Sequence, residues 1–214
     1  MKSSISHLRY EYSRHTLTEN EAAADPIHQF DKWWQEVIAA EVYEANAMTL
    51  ATAGSDGLPS ARIVLLKEYS AKGFVFFTNY KSFKGIQIAE NPKACLLFFW
   101  KELERQVRIT GIVSKVSDEE SDAYFYSRPL PSQIGALASP QSQVLKSRDW
   151  LDENYAELLK QAENKPVKRP ASWGGYIVQP AIIEFWQGRP SRLHDRLQYS
   201  LTSDGQWQIE RLAP

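Results

Sequence analysis

From Ala47 onward the apolar residues arrive in short runs of β-branched and aromatic side chains cut by turn formers, a rhythm that no mainly helical fold accommodates. The runs at 47–53, 60–67 and 74–79 are separated by Gly54-Ser55-Asp56-Gly57 and by Ser70-Ala71-Lys72-Gly73, links short enough to predict antiparallel neighbours. Residues 93–100 and 105–116 resume the pattern, and 173–178, 182–187, 193–200 and 207–212 return to it near the C-terminus. An α+β chain dominated by a curled or barrel-like antiparallel sheet is the expectation.

Helical signals sit between these runs. Asp25-Pro26 supplies an N-cap and a first-turn proline, and Ile27, Phe30, Trp33, Trp34, Val37 and Ile38 then recur at helical spacing, predicting a helix that ends near Tyr43. Residues 82–90 read as a second helix stopped by Asn91-Pro92. Ser117-Asp118-Glu119-Glu120 has the form of a capping box opening a third, which carries Tyr124 and Phe125 and stops at Ser127-Arg128-Pro129; 147–161 read as a fourth. Residues 1–24 show no sustained period and are expected to form an arm, mobile unless docked, with 25–214 as a single domain.

Charge excludes several classes of partner. Lysine and arginine number 25 against 26 acids, a net charge of -1, so nothing pulls the whole chain toward nucleic acid or an anionic membrane, and any anion site must come from local clustering. The single cysteine, Cys95, lies in an apolar run and reads as a buried reduced thiol, which with the polar N-terminus and the lack of a long apolar stretch predicts a soluble cytoplasmic protein. There is no GxGxxG, P-loop, G-x-S-x-G or cysteine–histidine metal spacing, and His7, His15 and His28 stand isolated.

Local clusters do occur. In residues 183–196, Arg192, His194 and Arg196 alternate with Leu193 and Asp195, so a strand would put the three basic groups on one face, either solvated or turned to an anion, with Trp186 nearby to suit a planar ligand. Arg62 and Lys67 have an odd separation and can serve one ligand only if one lies at a strand end or past a bulge. The junction Thr78-Asn79-Tyr80-Lys81-Ser82-Phe83-Lys84 could hold a phosphate at a helix N-terminus or simply carry a Ser82 cap. The same two readings stand for Arg128 with a Ser132 cap in Ser127-Arg128-Pro129-Leu130-Pro131-Ser132-Gln133-Ile134-Gly135.

These segments resemble the pyridoxamine 5'-phosphate oxidase family. The E-F-W-Q and R-L-H-D-R halves of residues 183–196 are similar to that family's C-terminal signature, and the likeness runs on through Arg62-Ile63-Val64-Leu65-Leu66-Lys67, Phe77-Thr78-Asn79, Leu103-Glu104-Arg105-Gln106-Val107, Ser127-Arg128-Pro129, Ser172-Trp173-Gly174-Gly175 and Arg211-Leu212-Ala213-Pro214. The resemblance implies an FMN-binding split β-barrel with antiparallel strands and flanking helices, forming a homodimer with FMN at the subunit interface. It implies cofactor contacts from Arg62, Lys67, Phe77, Thr78, Lys84, Gln106, Gln141, Ser142, Trp186 and Arg196. Substrate phosphate falls to Lys67, Tyr124, Arg128 and Ser132, the catalytic pair is Arg192 and His194 against the substrate ring, and Arg9 and Tyr12 fold over the substrate as part of a lid. Two departures are Phe83, where arginine or another polar residue is usual, and Glu44-Ala45-Asn46-Ala47-Met48, which lacks the usual proline.

The activity so implied is oxidation of pyridoxamine 5'-phosphate and pyridoxine 5'-phosphate by O2 to pyridoxal 5'-phosphate, with H2O2 and, from the amine, ammonia. No metal is called for. Two competing readings share the flavin contacts: a split-barrel flavin reductase drawing on a nicotinamide, which needs no Tyr124, Arg128, Ser132, Arg192 and His194 together, and a non-catalytic carrier of flavin or B6 phosphate.

Overall fold

The computed structural model describes His7 and residues 10–214. Nine strands are hydrogen-bonded in the order β2-β1-β5-β6-β7-β4-β3, with β8 joined to β7 and β9 to β8; these are β1 Ala47–Ala53, β2 Pro59–Leu65, β3 Glu68–Ser70, β4 Gly73–Asn79, β5 Lys93–Trp100, β6 Arg105–Lys115, β7 Trp173–Gln187, β8 Asp195–Leu201 and β9 Trp207–Arg211. The fold is the mainly antiparallel α+β class expected from the short runs. The partner that hairpins with β4 is the short β3, which the 60–67 run does not announce; β4 lies antiparallel to β3 and β7, and the Lys67 N–H just before β3 donates to the Val75 carbonyl at 2.9 Å. The chain forms two compact units, one from Met1–Thr49, Cys95–Thr110 and Pro180–Pro214, the other from Leu50–Ala94 and Gly111–Gln179.

In the first unit, α1 spans Pro26–Ala39, and the Asp25 carboxylate accepts from the N–H groups of Ile27 and His28, satisfying two donors that a helix start leaves free. The helix stops earlier than its apolar spacing suggests, because Glu41 and Glu44 adopt left-handed backbone (φ 51° and 47°) and Tyr43 is exposed. Its buried face brings Phe30 to 5.4 Å from Phe98 and Trp33 edge-on to Phe185 at 5.2 Å. The second half of β7 continues this core by pairing with β8, Ile183 opposite Tyr199 and Phe185 opposite Leu197, all four fully buried. Truncating a ring such as Phe185 to alanine in so closed a cluster costs about 3–5 kcal/mol.

Residues 13–19 dock on this unit. The N–H of buried Leu17 donates to Asp195 at 3.1 Å, and Arg211 donates to the Leu17 carbonyl and to the Glu19 carboxylate, holding the latter's pKa down to about 2. The arm therefore has a defined path here.

The second unit carries α2 Phe83–Glu90, α3 Asp118–Ser127, α4 Leu130–Ala138 and α5 Arg148–Ala162. The Ser117–Glu120 capping box of α3 is formed as read, and Ser147 caps α5. Helix α4 is an addition: Pro129 occupies its N-cap position and Pro131 its first turn, where a missing N–H is tolerated, so Ser132 is not a cap and lies inside the helix. The two expected strands at 173–178 and 182–187 are one, β7, with Pro180 between the stretch registered to β4 and the stretch registered to β8. Among the described residues no helix is long and apolar enough to cross a membrane.

Candidate active site

The second unit encloses a pocket of about 530 Å³ whose lining includes Lys67, Phe77, Thr78, Lys84, Tyr124, Arg128, Ser132 and Gln141, all named from the sequence. Strand β2 ends at Leu65, so Lys67 sits past the strand end, which removes the parity conflict with Arg62. Arg62 donates to the Leu50 carbonyl at 3.3 Å and to the hydroxyls of Thr52 and Ser60, each at 2.6 Å. Lys84 is buried; its Nζ donates to Thr78 Oγ1 at 3.2 Å and to Ser82 Oγ at 3.4 Å. Neither cation is in an ion pair among the described residues. Burial pushes both pKa values down, and the Arg62 charge pushes Lys84 down further.

Ser82 does cap α2, its Oγ accepting from the Gly85 N–H, while Phe83 begins the helix and is exposed. The Gln141 Oε1 accepts from Thr78 Oγ1 at 3.1 Å and from the Asn79 N–H at 3.3 Å. Ser142 follows it, exposed and in left-handed backbone at φ 70°.

Aromatic rings wall one side. Phe77 stacks on Tyr124 at 4.0 Å and on Trp173 at 5.6 Å, and the Arg128 guanidinium lies 4.8 Å from the Trp173 centroid. This stack depends on Gly175, opposite Phe77 in the β4–β7 register, because a Cβ there would come within 2.8 Å of the Phe77 ring. Arg128 Nη2 donates to the Ser132 carbonyl at 2.8 Å, whereas Nη1 is buried without a hydrogen-bond partner. Burial lowers the Arg128 pKa. A half-buried guanidinium whose buried Nη1 is a free donor, beside Lys67, Tyr124 and Ser132, suits an oxyanion.

The first unit holds the second constellation. Tyr12, Arg192 and His194 line a cleft of about 920 Å³ together with Tyr10, Glu11, Arg189 and Ser191. The alternation read at 192–196 is not a strand: Pro190–Arg192 is a 3-10 turn, Ser191 and Arg192 have φ 55° and 62°, and β8 starts only at Asp195. Arg192, His194 and Arg196 therefore do not form one strand face. Consecutive left-handed residues without glycine are strained, and here they present an exposed Arg192 that makes no ion pair among the described residues.

His194 Nδ1 accepts from the Arg189 N–H at 3.1 Å, so the neutral imidazole carries its proton on Nε2. Burial, and then the Arg192 charge, lower its pKa below the ordinary 6.5, keeping the ring neutral near pH 7. Trp186 lies 4.5 Å from His194, and Tyr12 meets both rings edge-on at 5.7 and 6.0 Å. Across the β7–β8 ladder Trp186 faces Arg196, whose Nε donates to Glu184 at 2.8 Å. Gln106 is half-buried on β6, and Arg9 lies outside the described residues.

Glu184 and Trp173 are contributors that residue-type reasoning did not single out. Glu184 is 2% exposed and takes hydrogen bonds from both Arg108 and Arg196; burial pushes its carboxyl up, and the two arginines more than reverse this, leaving it below the usual value. Its pairing depends on which strands meet, which spacing along one strand does not reveal. Trp173 lies in the family-like stretch Ser172-Trp173-Gly174-Gly175, but its stacking on Phe77 follows only from the β4–β7 register.

Residues 34–161 match the family described as pyridoxamine 5'-phosphate oxidase, and residues 173–214 match the pyridoxine 5'-phosphate oxidase C-terminal dimerisation region. A pyridoxine/pyridoxamine 5'-phosphate oxidase of an Acidovorax species is 59% identical over 214 residues, covering 100% of this chain and 98% of its own, and one from Trichormus variabilis is 53% identical with 100% of both chains covered. Among solved structures, PhzG from Burkholderia lata 383, in complex with tetrahydrophenazine-1-carboxylic acid, has a TM-score of 0.88 at 32% identity, over 94% of this chain and 100% of that one. A pyridoxamine 5'-phosphate oxidase-related, FMN binding protein from Nostoc punctiforme shares the fold, with a TM-score of 0.71 at 17% identity over 89% of this chain and 98% of that one. By whole-length identity and by both matched regions, this oxidoreductase belongs to the pyridoxamine 5'-phosphate oxidase family.

Proposed function

We propose that the chain oxidises pyridoxamine 5'-phosphate and pyridoxine 5'-phosphate to pyridoxal 5'-phosphate, with FMN as its cofactor and O2 as the final acceptor, releasing H2O2 and, from the amine, ammonia. The observation that carries this reading is the charge imbalance in and behind the pocket of the second unit, where Arg62, Lys67, Lys84 and Arg128 meet hydroxyls, carbonyls and rings but no carboxylate in an ion pair among the described residues. Lys84 is buried and Arg62 and Arg128 are half-buried, so an anion would return to these three charges the stabilisation that lost solvent no longer supplies.

Arg62 and Lys84 fit a cofactor phosphate: two adjacent cations, both disfavoured by burial, are relieved by one dianion. Lys67, Phe77, Thr78, Gln106, Gln141, Ser142, Trp186 and Arg196 complete the cofactor contacts in this reading. When bound, FMN supplies the two-electron acceptor that the side chains lack. The match of 173–214 to a dimerisation region supports a homodimer, and in this reading FMN lies at the subunit interface.

Arg128, through its free Nη1, with Lys67, Tyr124 and Ser132, binds the substrate phosphate. Arg192 and His194 orient the substrate ring, His194 as a neutral donor through Nε2–H and Arg192 as a fixed positive charge that favours loss of a proton from the amine or alcohol. Residues 1–24, including Arg9 and Tyr12, act as a lid on the single domain of residues 25–214 and exclude water during turnover.

Anaerobic addition of pyridoxine 5'-phosphate to the purified protein tests the reading. Bleaching of its visible flavin bands, with recovery and H2O2 release on admitting air, is expected. Bleaching by NADH but by neither B6 phosphate identifies a nicotinamide-dependent reductase, and no bleaching by any of them a carrier.

A further inference from the structure

Glu104 is an unusual place for a carboxylate. It is 2% exposed, ends the 3-10 turn Lys101–Leu103 in left-handed backbone (φ 55°), and is held there from the end of β7: the Gly188 N–H donates to its carbonyl at 2.8 Å and Gln187 Nε2 at 3.3 Å. Its side chain turns to the N-terminal arm, where Oε2 accepts from the N–H groups of Ser13 at 2.8 Å and Arg14 at 3.0 Å, and Oε1 lies 4.0 Å from Arg14 Nε. Two amide donors on one carboxylate oxygen are charge-assisted bonds, stronger than a neutral acceptor would form.

These two amides directly follow Tyr12. Fixing them fixes the peptide that carries the Tyr12 ring, and that ring packs against Gly188, Trp186 and His194. The fit at Gly188 is close enough that a Cβ would lie 2.7 Å from both Cβ and Cγ of Tyr12 and 3.0 Å from Cβ of Glu104. Further along, the arm has a separate anchor in the Leu17 N–H to Asp195, with Arg211 on the Leu17 carbonyl. Residues 10–16 therefore depend on Glu104 in a way that residues 17–24 do not.

We infer that Glu104 is a positioning residue for the reaction: its buried carboxylate clamps the backbone after Tyr12 and so sets that ring over the Arg192–His194 cleft. The inference rests on the reading of the arm as a substrate lid. It also accounts for a carboxylate rather than an amide, since a glutamine would turn its NH2 toward the Arg14 guanidinium.

Hydrogen–deuterium exchange and steady-state kinetics on the holoenzyme test it, with Glu104→Gln and, acting from the other side of the ring, Gly188→Ala. In both variants exchange across residues 10–16 should quicken by about tenfold or more while residues 17–24 are unchanged, and the KM for pyridoxine 5'-phosphate should rise by about fivefold or more with FMN content retained. Trypsin cleavage after Arg14 should quicken in parallel. Unchanged exchange at 10–16 in both variants overturns the clamp, whatever the arm does. Faster exchange with unchanged KM and kcat overturns the positioning role because the lid reading itself has failed, an outcome the first does not mimic.

Discussion

The arginines of the two units are kept in opposite ways. In the first unit Arg105, Arg108, Arg189, Arg196 and Arg211 each face a carboxylate, from Glu36, Glu184, Asp195 or Glu19. In the second, Arg62 and Arg128 meet hydroxyls, carbonyls and aromatic faces, as Lys84 does hydroxyls, while the acid-paired Arg148 and Arg169 of that unit lie outside the pocket lining. A cation already neutralised by the protein is suited first to holding structure, and one left against neutral dipoles retains its field for a ligand; Arg196, paired with Glu184 and proposed as a cofactor contact, would do both. Arg192 is the exception in the first unit: its backbone is strained and, like Arg62 and Arg128, it makes no ion pair among the described residues.

The largest effect should come from the half-buried Arg128 guanidinium, whose buried Nη1 is a free donor. Arg128→Met keeps much of the stacking volume over Trp173 but deletes the charge, and KM for either B6 phosphate should rise on the order of 100-fold, the worth of one or two charge-assisted phosphate bonds, with FMN content unchanged. Steady-state kinetics beside the flavin absorbance of the purified variant decide it. A KM within a factor of about 3 of the parent would place Arg128 with the structural arginines instead.

Glu184→Gln breaks the paired side of the comparison. It strands Arg108 and Arg196 around a buried amide, and because both arginines are partly exposed the loss should be about 2 kcal/mol, below that of a fully buried pair. Chemical denaturation of the flavin-free protein measures it. The native carboxyl pKa lies below its ordinary value, so the contribution is complete above that ordinary value, 4.5, and fades as pH falls through the native one; the difference between parent and variant should shrink on acidification.

Removing an unpaired cation should do the reverse. Lys84→Met takes away a buried charge that burial and Arg62 both disfavour, so the flavin-free protein should unfold at the same temperature or higher while FMN binds about tenfold more weakly. Calorimetry of the flavin-free form and fluorescence titration with FMN give the two halves. A clear drop in unfolding temperature would show Lys84 to be structural.

What could be read in the sequence follows the range of the interaction that decides it. The caps at Asp25 and Ser117 were legible because the capping side chain and the amides it binds lie within three residues. Helix α4 was not, since Pro129 and Pro131 signal a stop as readily as a first turn. The basic signature suggested an alternating strand face that the structure does not form: nothing in Pro190-Ser191-Arg192 announces two left-handed residues, and without them an alternating face is the default. Glu184 and Trp173 acquire their roles only from strand register, which one segment read alone does not contain.

The smallest effect tests whether Arg192 belongs with the ligand-facing cations at all. His194 is held below 6.5 first by burial and then by the Arg192 charge, and its cleft also contains Glu11 and Arg189. Its imidazolium is disfavoured in the fold, so the stability this ring contributes is present above 6.5 and is lost as pH falls through the native pKa. Histidine ring resonances followed against pH, with His194→Asn identifying one signal among the four histidines, should show His194 titrating below 6.5. In Arg192→Met the midpoint should move up toward that value yet stay below it, because the burial contribution remains. A midpoint that does not move would mean that the guanidinium field is spent elsewhere than on the cleft, and Arg192 would then join the neutralised arginines of its own unit.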